Sequence, residues 1–449
     1  MTTISLQSVL QELPENASEP VVEQIFSAPL LEALGFNSQE TYPEYPTGDG
    51  KSVDKAARSN NGAEDIFIQT KANPYLLLEL KGRDSNLTEN STQYKRTVAQ
   101  LKGYLLAPNC KSVKWGIITN ALNIQLFRKH GKVIYPATEC FSINHENIDT
   151  IIDSIKKKIE RPAKALTVTV YNNKGGVGKT TTTVNLASVL SLTQQNYKVL
   201  IIDFDHNQQD LTRSLGLQLS EGSLLQSLKE YGKDIDIENT IQTYSFNARK
   251  LNKEFKFDVI PADKELIDTS DEYLRHYFKL DMLYKRLESA RQEYDYIFID
   301  APPGLKLFSL MAVYAADVIL IPTKHNNIAS LENAAKAIKH FFPDIQKKKS
   351  DGTPIPLPIF FNGEKITLAQ RETSRQAINN IIEIAKKEGF DLLPYFYPKS
   401  TKFNQDPHIH ELENFSNIAM ATFEHIPAVY KNKTAGEYYK NLAKEYFIQ

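Results

Sequence analysis

Residues 171–185, YNNKGGVGKTTTTVN, have the residue types and spacing of a loop that wraps a phosphate chain. Gly178, Lys179 and Thr180 fill the last three places of the pattern G-x-x-x-x-G-K-[ST], and Asn173 stands where the first glycine is expected. A β-branched run precedes the loop, and a segment with helical apolar spacing follows it. This order predicts that backbone N–H groups face the phosphates, that Lys179 neutralises the β and γ oxygens, and that the Thr180 hydroxyl ligates Mg²⁺.

Two later stretches supply acidic residues at the ends of apolar strands. KVLIIDFDHNQQDLT (198–212) contains Asp203 and Asp205, and YDYIFIDAPPG (294–304) reaches Asp300 before a Pro-Pro-Gly turn. In an open parallel sheet, ligands bind at the carboxyl ends of the strands, so these carboxylates can reach the metal and the attacking water. An aspartate at a strand end is also common as a helix cap, and that alternative stays open for each motif taken alone.

Together these segments resemble the ParA/MinD ATPases over residues 165–449. The deviant Walker A motif of that family reads KGGxGKTT, and the stretches FDVIPADKEL, ADVILIPTKHN, LPIFFNGEK and HIPAVYKNKTAGEYYKNLAKEY follow in the family's order. The resemblance implies a P-loop NTPase with a doubly wound, mostly parallel sheet that binds ATP and Mg²⁺. The nucleotide-binding residues that it implies are Gly175, Gly176, Val177, Gly178, Lys179, Thr180, Thr181 and Asn362.

The resemblance also assigns a role to the second lysine of the loop. In the family this lysine, here Lys174, crosses the interface of an ATP-sandwich homodimer and contacts the phosphates bound by the other subunit. A cation placed in trans ties hydrolysis to dimerisation. Asp205 matches the family's water-positioning carboxylate, Asp203 the carboxylate on the Mg²⁺ side, and Asp300 the Walker B acid. The family's D-x-D-P-Q becomes DFDHNQQDLT, with His206 in place of proline and one extra residue, so the following loop is not predicted.

The first 150 residues carry a different candidate site. In GAEDIFIQTKANPYLLLELKGR (62–83), Asp65 opens one strand-like run, and Glu79 and Lys81 lie two apart on the next. A side-chain period of two places Glu79 and Lys81 on one face, and a neighbouring strand would bring Asp65 alongside. Two carboxylates for a divalent metal and a lysine for the attacking water suit metal-dependent hydrolysis. The motif is short, and a solvated strand face also matches it.

The surrounding segments resemble the PD-(D/E)xK nuclease domain at the start of type I restriction endonuclease motor subunits. EPVVEQIFSAPLLEALGF (19–36) is an amphipathic helix, QLKGY contains the Q-x-x-x-Y motif of those subunits, and SVKWGIITNALNIQLFR (112–128) predicts two strands around a turn. The resemblance implies a restriction-endonuclease-like α/β/α domain. The catalytic candidates that it implies are Glu19, Asp65, Glu79 and Lys81, with Asp65 and Glu79 as metal ligands and with Gln100 and Tyr104 in support.

The length of 449 residues favours two or three domains. The 449 residues have a net charge of −1, so the chain as a whole does not attract nucleic acid. Its two cysteines have no metal-ligand spacing, and no apolar run approaches the roughly 18 residues that a membrane span needs. We expect a cytoplasmic, nucleoid-associated protein with a nuclease-like domain over 1–150, a basic helix or linker over 151–165, and an ATPase domain over 166–449.

Any DNA contact must come from local patches. Lysine-rich runs are usually solvated loops, but ParA proteins bind DNA through basic residues near the C-terminus once they have dimerised. By that analogy the candidates are Lys399, Lys402, Lys431 and Lys433.

Two functions remain open at this stage. The first is a ParA-like switch in which ATP closes a dimer, the dimer binds DNA without sequence preference, and a small ParB-like partner stimulates hydrolysis. The second is a DNA-cleaving effector against foreign DNA, in which the ATPase gates dimerisation and pairs two nuclease sites. Preservation of every later ParA segment favours the first, whereas the filled nuclease positions Glu79 and Lys81 favour the second.

Overall fold

The chain divides into two compact units, which we describe separately. The structure, a computed structural model, describes residues 5–193, 195–229, 236–248, 253–267, 269–324, 327–364, 367–399, 408–412 and 416–449. One unit is built from Met1–Pro162, Ser350–Gly352 and Phe447–Gln449, and the other from Ala163–Lys349 and Thr353–Tyr446. None of the described helices is long and apolar enough to cross a lipid bilayer.

The first unit is a seven-stranded mixed sheet with helices on both faces. Its strands are β1 (Thr41–Pro46), β2 (Ser52–Ala57), β3 (Leu76–Leu80), β4 (Trp115–Thr119), β5 (Asn123–His130), β6 (Val133–Pro136) and β7 (Phe141–Ser142). Its helices are α1 (Leu6–Glu12), α2 (Glu19–Ala33), α3 (Phe67–Thr70), α4 (Thr92–Leu106) and α5 (Ile148–Glu160), with a 3₁₀ turn over Pro108–Cys110. The strand order is β1-β2-β3-β4-β5-β6, β7 pairs with β5, and only the β3–β4 pair is parallel among the described strands of this sheet.

Alternation along β3 decides which side chains meet which helices. Leu76, Leu78 and Leu80 pack with α1, α2 and α5, whereas Leu77 packs with α4 on the opposite face. Glu79 therefore lies on the face of the sheet that helix α4 covers, because strand side chains alternate. The hairpin predicted around residue 120 is present as β4 and β5, and the helix predicted from Glu19 is α2.

Helix α5 carries the basic run that precedes the second unit. Its isoleucines at 148, 152, 155 and 159 are spaced four, three and four residues apart and are buried in the core of the first unit. That spacing forms one apolar stripe on a helix, so its lysines remain on the opposite, solvated face.

The second unit is a doubly wound sheet with a smaller three-stranded sheet beside it. Its strands are β8 (Leu166–Val170), β9 (Val199–Asp203), β10 (Gln242–Ala248), β11 (Lys253–Ile260), β12 (Tyr296–Asp300), β13 (Val318–Leu320), β14 (Pro322–Thr323), β15 (Ile355–Pro356), β16 (Phe360–Glu364) and β17 (His408–Leu412). The large sheet has the order β10-β11-β9-β12-β8-β13-β15 and the small one β14-β16-β17, and every described pair is parallel except β10–β11.

The described helices of the second unit range in length from four to twenty residues. They are α6 (Lys179–Ser191), α7 (Asp210–Ser214), α8 (Ser223–Leu228), α9 (Asp271–Tyr277), α10 (Met282–Arg286), α11 (Glu288–Glu293), α12 (Leu307–Ala315), α13 (Ile328–Lys336), α14 (Phe342–Lys349), α15 (Leu368–Lys387), α16 (Leu393–Phe396), α17 (Ser416–Phe423), α18 (Ala428–Lys431) and α19 (Lys433–Tyr446). Short 3₁₀ turns span Ile237–Thr240 and Lys264–Leu266, and a π-helical turn spans Ala337–Phe341.

The order of the central strands gathers the predicted acids of the second unit. Strand β12 lies between β8 and β9, and Asp300 is paired in register with Val170 on one side and with Asp203 on the other. Because these strands are parallel, the phosphate-binding loop after β8 and the acids at the ends of β9 and β12 lie at one edge of the sheet. The prediction of an α/β fold is confirmed.

Candidate functional site

The glycine-rich loop enters helix α6 at Lys179. Gly178, the residue before the helix, has φ = 86°, and Gly176 has φ = 71°, a backbone region that residues with a Cβ rarely adopt. A Cβ on Gly178 would lie 2.4 Å from Asn362 Nδ2, so packing as well as backbone geometry requires glycine there. A Cβ on Gly176 would meet nothing within 4 Å, so the space above the loop is open for a ligand.

The predicted phosphate and magnesium chemistry of the loop centres on Lys179 and Thr180. Lys179 is buried, and burial lowers the pKa of its ammonium while Asp300 and Asp205 oppose that change. The Thr180 hydroxyl donates to Asp300 Oδ2 at 2.6 Å. The structure therefore brings the loop and the predicted Walker B acid into direct contact.

Two buried carboxylates near Thr180 have oxygens without partners. Asp203 Oδ2 accepts from the backbone N–H and the hydroxyl of Thr212, but Asp203 Oδ1 and Asp300 Oδ1 are buried and accept no hydrogen bond from the described groups. Burial raises the pKa of Asp203 to about 7 and that of Asp300 to about 8; the Asp203 carboxylate further raises the pKa of Asp300, and Asp205 further raises that of Asp203. A divalent cation would relieve this unfavourable burial of negative charge.

These donors fit Mg²⁺. Among the described residues no group of three or more His, Cys, Asp or Glu side chains could hold a metal by itself. A magnesium ion in a P-loop site does not need such a group, because it takes one hydroxyl, one or two carboxylates, phosphate oxygens and waters. Thr180, Asp300 and Asp203 are the residues that would hold it.

The loop after Asp205 is anchored by the residue that departs from the family pattern. His206 is buried, its Nδ1 accepts the backbone N–H of Asp263 at 3.2 Å, and its ring packs between Phe204 and Phe308. Burial lowers the pKa of His206 to about 4, so the ring is neutral and can accept this bond. Asp205 itself accepts the Gln208 N–H at 3.3 Å, and burial raises its pKa.

Lys174 is placed very differently from Lys179. Its side chain is exposed and forms no ion pair with any residue that the structure describes. Its backbone N–H donates to Asn172 Oδ1 at 2.9 Å, and Asn172 Nδ2 donates to the carbonyls of Pro322 and Ser330. Sequence reasoning missed Asn172, which fixes the start of the loop; its position directly before the motif was the available signal.

Asn362 lies beneath the loop. Its Nδ2 donates to the Val177 carbonyl and to the Thr182 hydroxyl, both at 3.3 Å, and its Oδ1 accepts from the Tyr438 hydroxyl at 2.7 Å. A cavity of about 500 Å³ opens beside Thr180 and Thr181. Its other walls include Asn185, Arg213, Ile426 and Pro427.

Comparison with known proteins finds sequence relatives of the segment that contains this site. Residues 165–355 match the model of a family described as "AAA domain" (AAA_31). The chain is 32% identical over 157 residues to the sporulation initiation inhibitor protein Soj of Bacillus subtilis, covering 35% of this chain and 57% of that protein. It is 34% identical over 161 residues to the chromosome partitioning protein ParA of Myxococcus xanthus, covering 34% of this chain and 50% of that protein. The chain thus spans less than two thirds of either relative.

Residues 165–355 thus resemble ATPase domains of the Soj and ParA type.

Solved structures with a similar fold include an ATP complex of a McdA variant from Cyanothece, with 22% identity, a TM-score of 0.45, and coverage of 63% of this chain and 96% of that one. They also include the ParA of pNOB8 bound to nonspecific DNA, with 20% identity, a TM-score of 0.44, and coverage of 63% and 97%.

The lysines predicted to contact DNA lie between residue 355 and the C-terminus, and the structure pairs three of them with glutamates. Lys399 pairs with Glu445 at 2.8 Å, Lys431 pairs with Glu424, and Lys433 lies 3.8 Å from Glu437. The fourth, Lys402, lies outside the described residues. These lysines stay predictions.

A second constellation lies in the first unit. Lys81 Nζ lies 2.8 Å from Glu79 Oε1 and 3.3 Å from Glu19 Oε2, so three predicted residues come together. Glu79 is 1% exposed, and its Oε2 has no hydrogen-bond partner among the described groups. Burial and the nearby Asp54 raise the pKa of Glu79 to about 7, against the effect of Lys81. Burial alone would lower the pKa of Lys81, but Glu79 and Glu19 hold it above its ordinary value.

The second carboxylate of this cluster is Asp54, which sequence reasoning missed. Strand β2 pairs with β3 through Lys55 opposite Leu78. This pairing places Asp54 next to Glu79 on the face of the sheet that helix α4 covers. Asp54 Oδ2 accepts the Leu80 N–H at 2.6 Å, and burial raises the pKa of Asp54. The available signal was the short run SVDKAA (52–57), which precedes the DIFIQT run that was predicted to be the neighbouring strand.

Asp65 is not where it was predicted. The run DIFIQT forms the one-turn helix α3 instead of a strand, because β2 already occupies the edge of β3 where that strand would have paired. Asp65 instead forms a two-point ion pair with Arg58, at 2.6 and 2.8 Å, and this guanidinium lowers the pKa of Asp65.

Gln100 and Tyr104 connect helix α4 to the cluster. Gln100 Nε2 donates to the Tyr104 hydroxyl at 2.8 Å. Burial raises the pKa of Tyr104, with further contributions from Glu79 and Asp54. Tyr104 packs in the same apolar cluster as Leu77, so the predicted pair lies on the helix that covers the Glu79 side of the sheet.

Proposed function

We propose that the second unit is an ATP-dependent dimerisation switch that binds DNA without sequence preference. The observation that carries the proposal is the contrast between the two loop lysines: Lys179 is buried against Asp300 and Asp205, whereas Lys174 is exposed with its main chain fixed by Asn172. An exposed cation on a rigid loop is suited to contact phosphates bound by a second subunit.

The proposed substrate is ATP. The nucleoside part fits the cavity beside Thr181, and the phosphate chain fits the open space over Gly176. Magnesium, held by Thr180, Asp300 and Asp203, would neutralise charge on the β and γ phosphates. Asp205 lies at the same edge of the sheet and is the carboxylate placed to orient the attacking water.

Positioning of DNA or of a cargo is the use that the relatives favour. They are named for chromosome partitioning and for maintenance of carboxysome distribution. In this proposal a small ParB-like partner stimulates hydrolysis and releases the dimer, and Lys399, Lys402, Lys431 and Lys433 contribute to DNA binding. Their glutamate partners would be exchanged for phosphates when DNA is present.

Asp205→Ala tests the switch. The substitution leaves the phosphate-binding loop and both lysines in place but removes the group that orients water, so we expect hydrolysis to fall by about 100-fold or more. The variant should accumulate as an ATP-bound dimer that remains on DNA. Sedimentation with saturating ATP and Mg²⁺, with and without duplex DNA, measures both properties.

The matched control combines Asp205→Ala with Lys174→Ala, which should be monomeric under the same conditions. A monomeric Asp205→Ala protein at saturating ATP would overturn the dimer switch.

A second candidate function is supported by the first unit. Asp54, Glu79 and Lys81 have the composition of a metal-dependent phosphodiesterase site, and the unpartnered Glu79 Oε2 fits a missing cation. Asp54 and Glu79 would hold a divalent metal, which would activate a water for attack on a phosphodiester. Lys81 would stabilise charge at the attacked phosphorus. In this candidate the chain is an ATP-gated DNA endonuclease against foreign DNA, and dimerisation of the second unit pairs two such sites.

A further inference from the structure

Helix α4 has a face whose properties the folding of the chain does not explain. Arg96, Ala99, Gln100 and Gly103 are spaced three and four residues apart and are all exposed. The sequence of α4, TQYKRTVAQLKGYLL, contains three cations and no acid. We call these four residues the α4 face.

Gly103 is the most informative residue of the α4 face. It lies inside a helix, where glycine is less stable than alanine. A Cβ at Gly103 would meet no atom within 4 Å, whereas a Cβ at Gly116 would lie 2.9 Å from a Leu101 methyl carbon. Internal packing therefore requires glycine at 116 but not at 103. The missing side chain leaves room for a molecule outside the chain to approach the helix backbone closely.

The charges of the α4 face indicate what kind of molecule this is. Arg96 forms no ion pair within the described part of the chain, and it lies two helical turns from Gly103 on the same side. Gln100 donates to Tyr104, which packs on the face of the sheet that carries Asp54 and Glu79. Arg96, Gln100 and Gly103 thus form a line of a cation, an amide and an open space along the helix. This line suits a phosphodiester backbone whose next phosphate reaches the buried carboxylates of Asp54 and Glu79, where Glu79 Oε2 is unpartnered.

We propose that the α4 face is the surface on which one strand of duplex DNA lies, with Arg96 on a phosphate and the sugar-phosphate backbone passing over Gly103. This inference rests on the second candidate function, because it supplies the substrate-binding surface of the same site. It assigns Arg96 and Gly103 to substrate binding, beside the catalytic cluster.

The experiment measures duplex binding by the full chain without nucleotide, with Ca²⁺ in place of Mg²⁺, and in a Lys179→Ala background that silences the second unit. Gly103→Ala should raise Tm by about 2 °C, since alanine favours the helix, yet weaken duplex binding by about 3-fold. Gly103→Gln should weaken it by about 10-fold or more. A structural role for Gly103 predicts no such opposition between Tm and affinity.

Arg96→Ala should weaken duplex binding by about 5- to 10-fold and lower the salt dependence of binding by about one phosphate contact. Lys158→Ala is the matched control. Lys158 is exposed and also cationic, but it lies on α5, which packs on the opposite face of the sheet, so its loss should change affinity less than about 2-fold.

The inference is overturned if both Gly103 variants bind as tightly as the parent, if Arg96→Ala and Lys158→Ala are equivalent, or if single-stranded DNA and RNA show the same affinities and the same losses. The outcomes also separate this inference from the function on which it rests. Absence of cleavage with intact effects of Arg96 and Gly103 on binding removes the nuclease and keeps the docking surface. Cleavage with an unchanged KM for DNA in these variants keeps the nuclease and removes the docking surface.

Discussion

Lys179→Ala abolishes nucleotide binding, whereas Lys174→Ala leaves it largely intact and stops turnover. Lys179 is buried beside Asp300 and Asp205, so its loss leaves the phosphates without their cation in a desolvated site, and we expect ATP affinity to fall by about 100-fold or more. Lys174 is exposed and absent from the carboxylate cluster of its own subunit. We expect the dissociation constant of the Lys174→Ala monomer to change by less than about 3-fold, and kcat to fall by about 1,000-fold with the ATP-dependent dimer.

Fluorescent-nucleotide titration and sedimentation distinguish the two lysines. Lys264→Ala is a suitable control, because Lys264 is exposed and pairs only with the exposed Glu221 in the described structure. Equal loss of nucleotide binding in the Lys174 and Lys179 variants would show that both act within one subunit and would end the trans assignment.

We expect Asp54→Asn to eliminate the proposed metal-dependent cleavage of DNA and Asp65→Asn to leave it. Asp54 lies beside Glu79, accepts from Leu80 and is buried, so its replacement removes one of two carboxylate ligands without changing the side-chain shape. Asp65 faces Arg58 in a partly buried ion pair away from Glu79, so its replacement leaves both proposed metal ligands in place. We expect nicking to drop by at least about 100-fold in Asp54→Asn and to stay within about 2-fold in Asp65→Asn.

The assay is plasmid relaxation with Mg²⁺ or Mn²⁺, with and without ATP. The double substitution Glu79→Ala, Lys81→Ala is the inactive reference, and its unchanged ATPase activity would show that the lesion is local. Cleavage that also requires Lys174 would support ATP gating. If supercoiled, linear and single-stranded DNA all survive while the protein still binds DNA in ATP, the effector is excluded and the switch remains. Nicking by Asp54→Asn but not by Asp65→Asn would return the metal site to Asp65.

The ATPase machinery could be predicted from sequence because its parts are local. Gly178, Lys179 and Thr180 are adjacent, and the turn and helix that follow are determined by the same residues. Asp203 and Asp300 end apolar strands, and in a parallel sheet every strand delivers its carboxyl end to the same edge. The α/β class followed from the same alternation of strands and helices.

Sequence alone also determined that Glu79 and Lys81 share a face, since that depends only on the two-residue period of one strand. It did not determine the strand beside them. Pairing of β2 with β3 joins segments separated by the α3 region, and neither SVDKAA nor DIFIQT has a strict alternation that would single it out as the neighbouring strand. Only the folded sheet identified Asp54 as the neighbour of Glu79. Two other contacts also join distant segments. The Asp263 N–H donates to His206, and the Asn172 side chain donates to the carbonyls of Pro322 and Ser330. The tertiary structure decided these contacts because a buried polar group needs a partner, and which distant residue supplies it depends on how the whole chain packs.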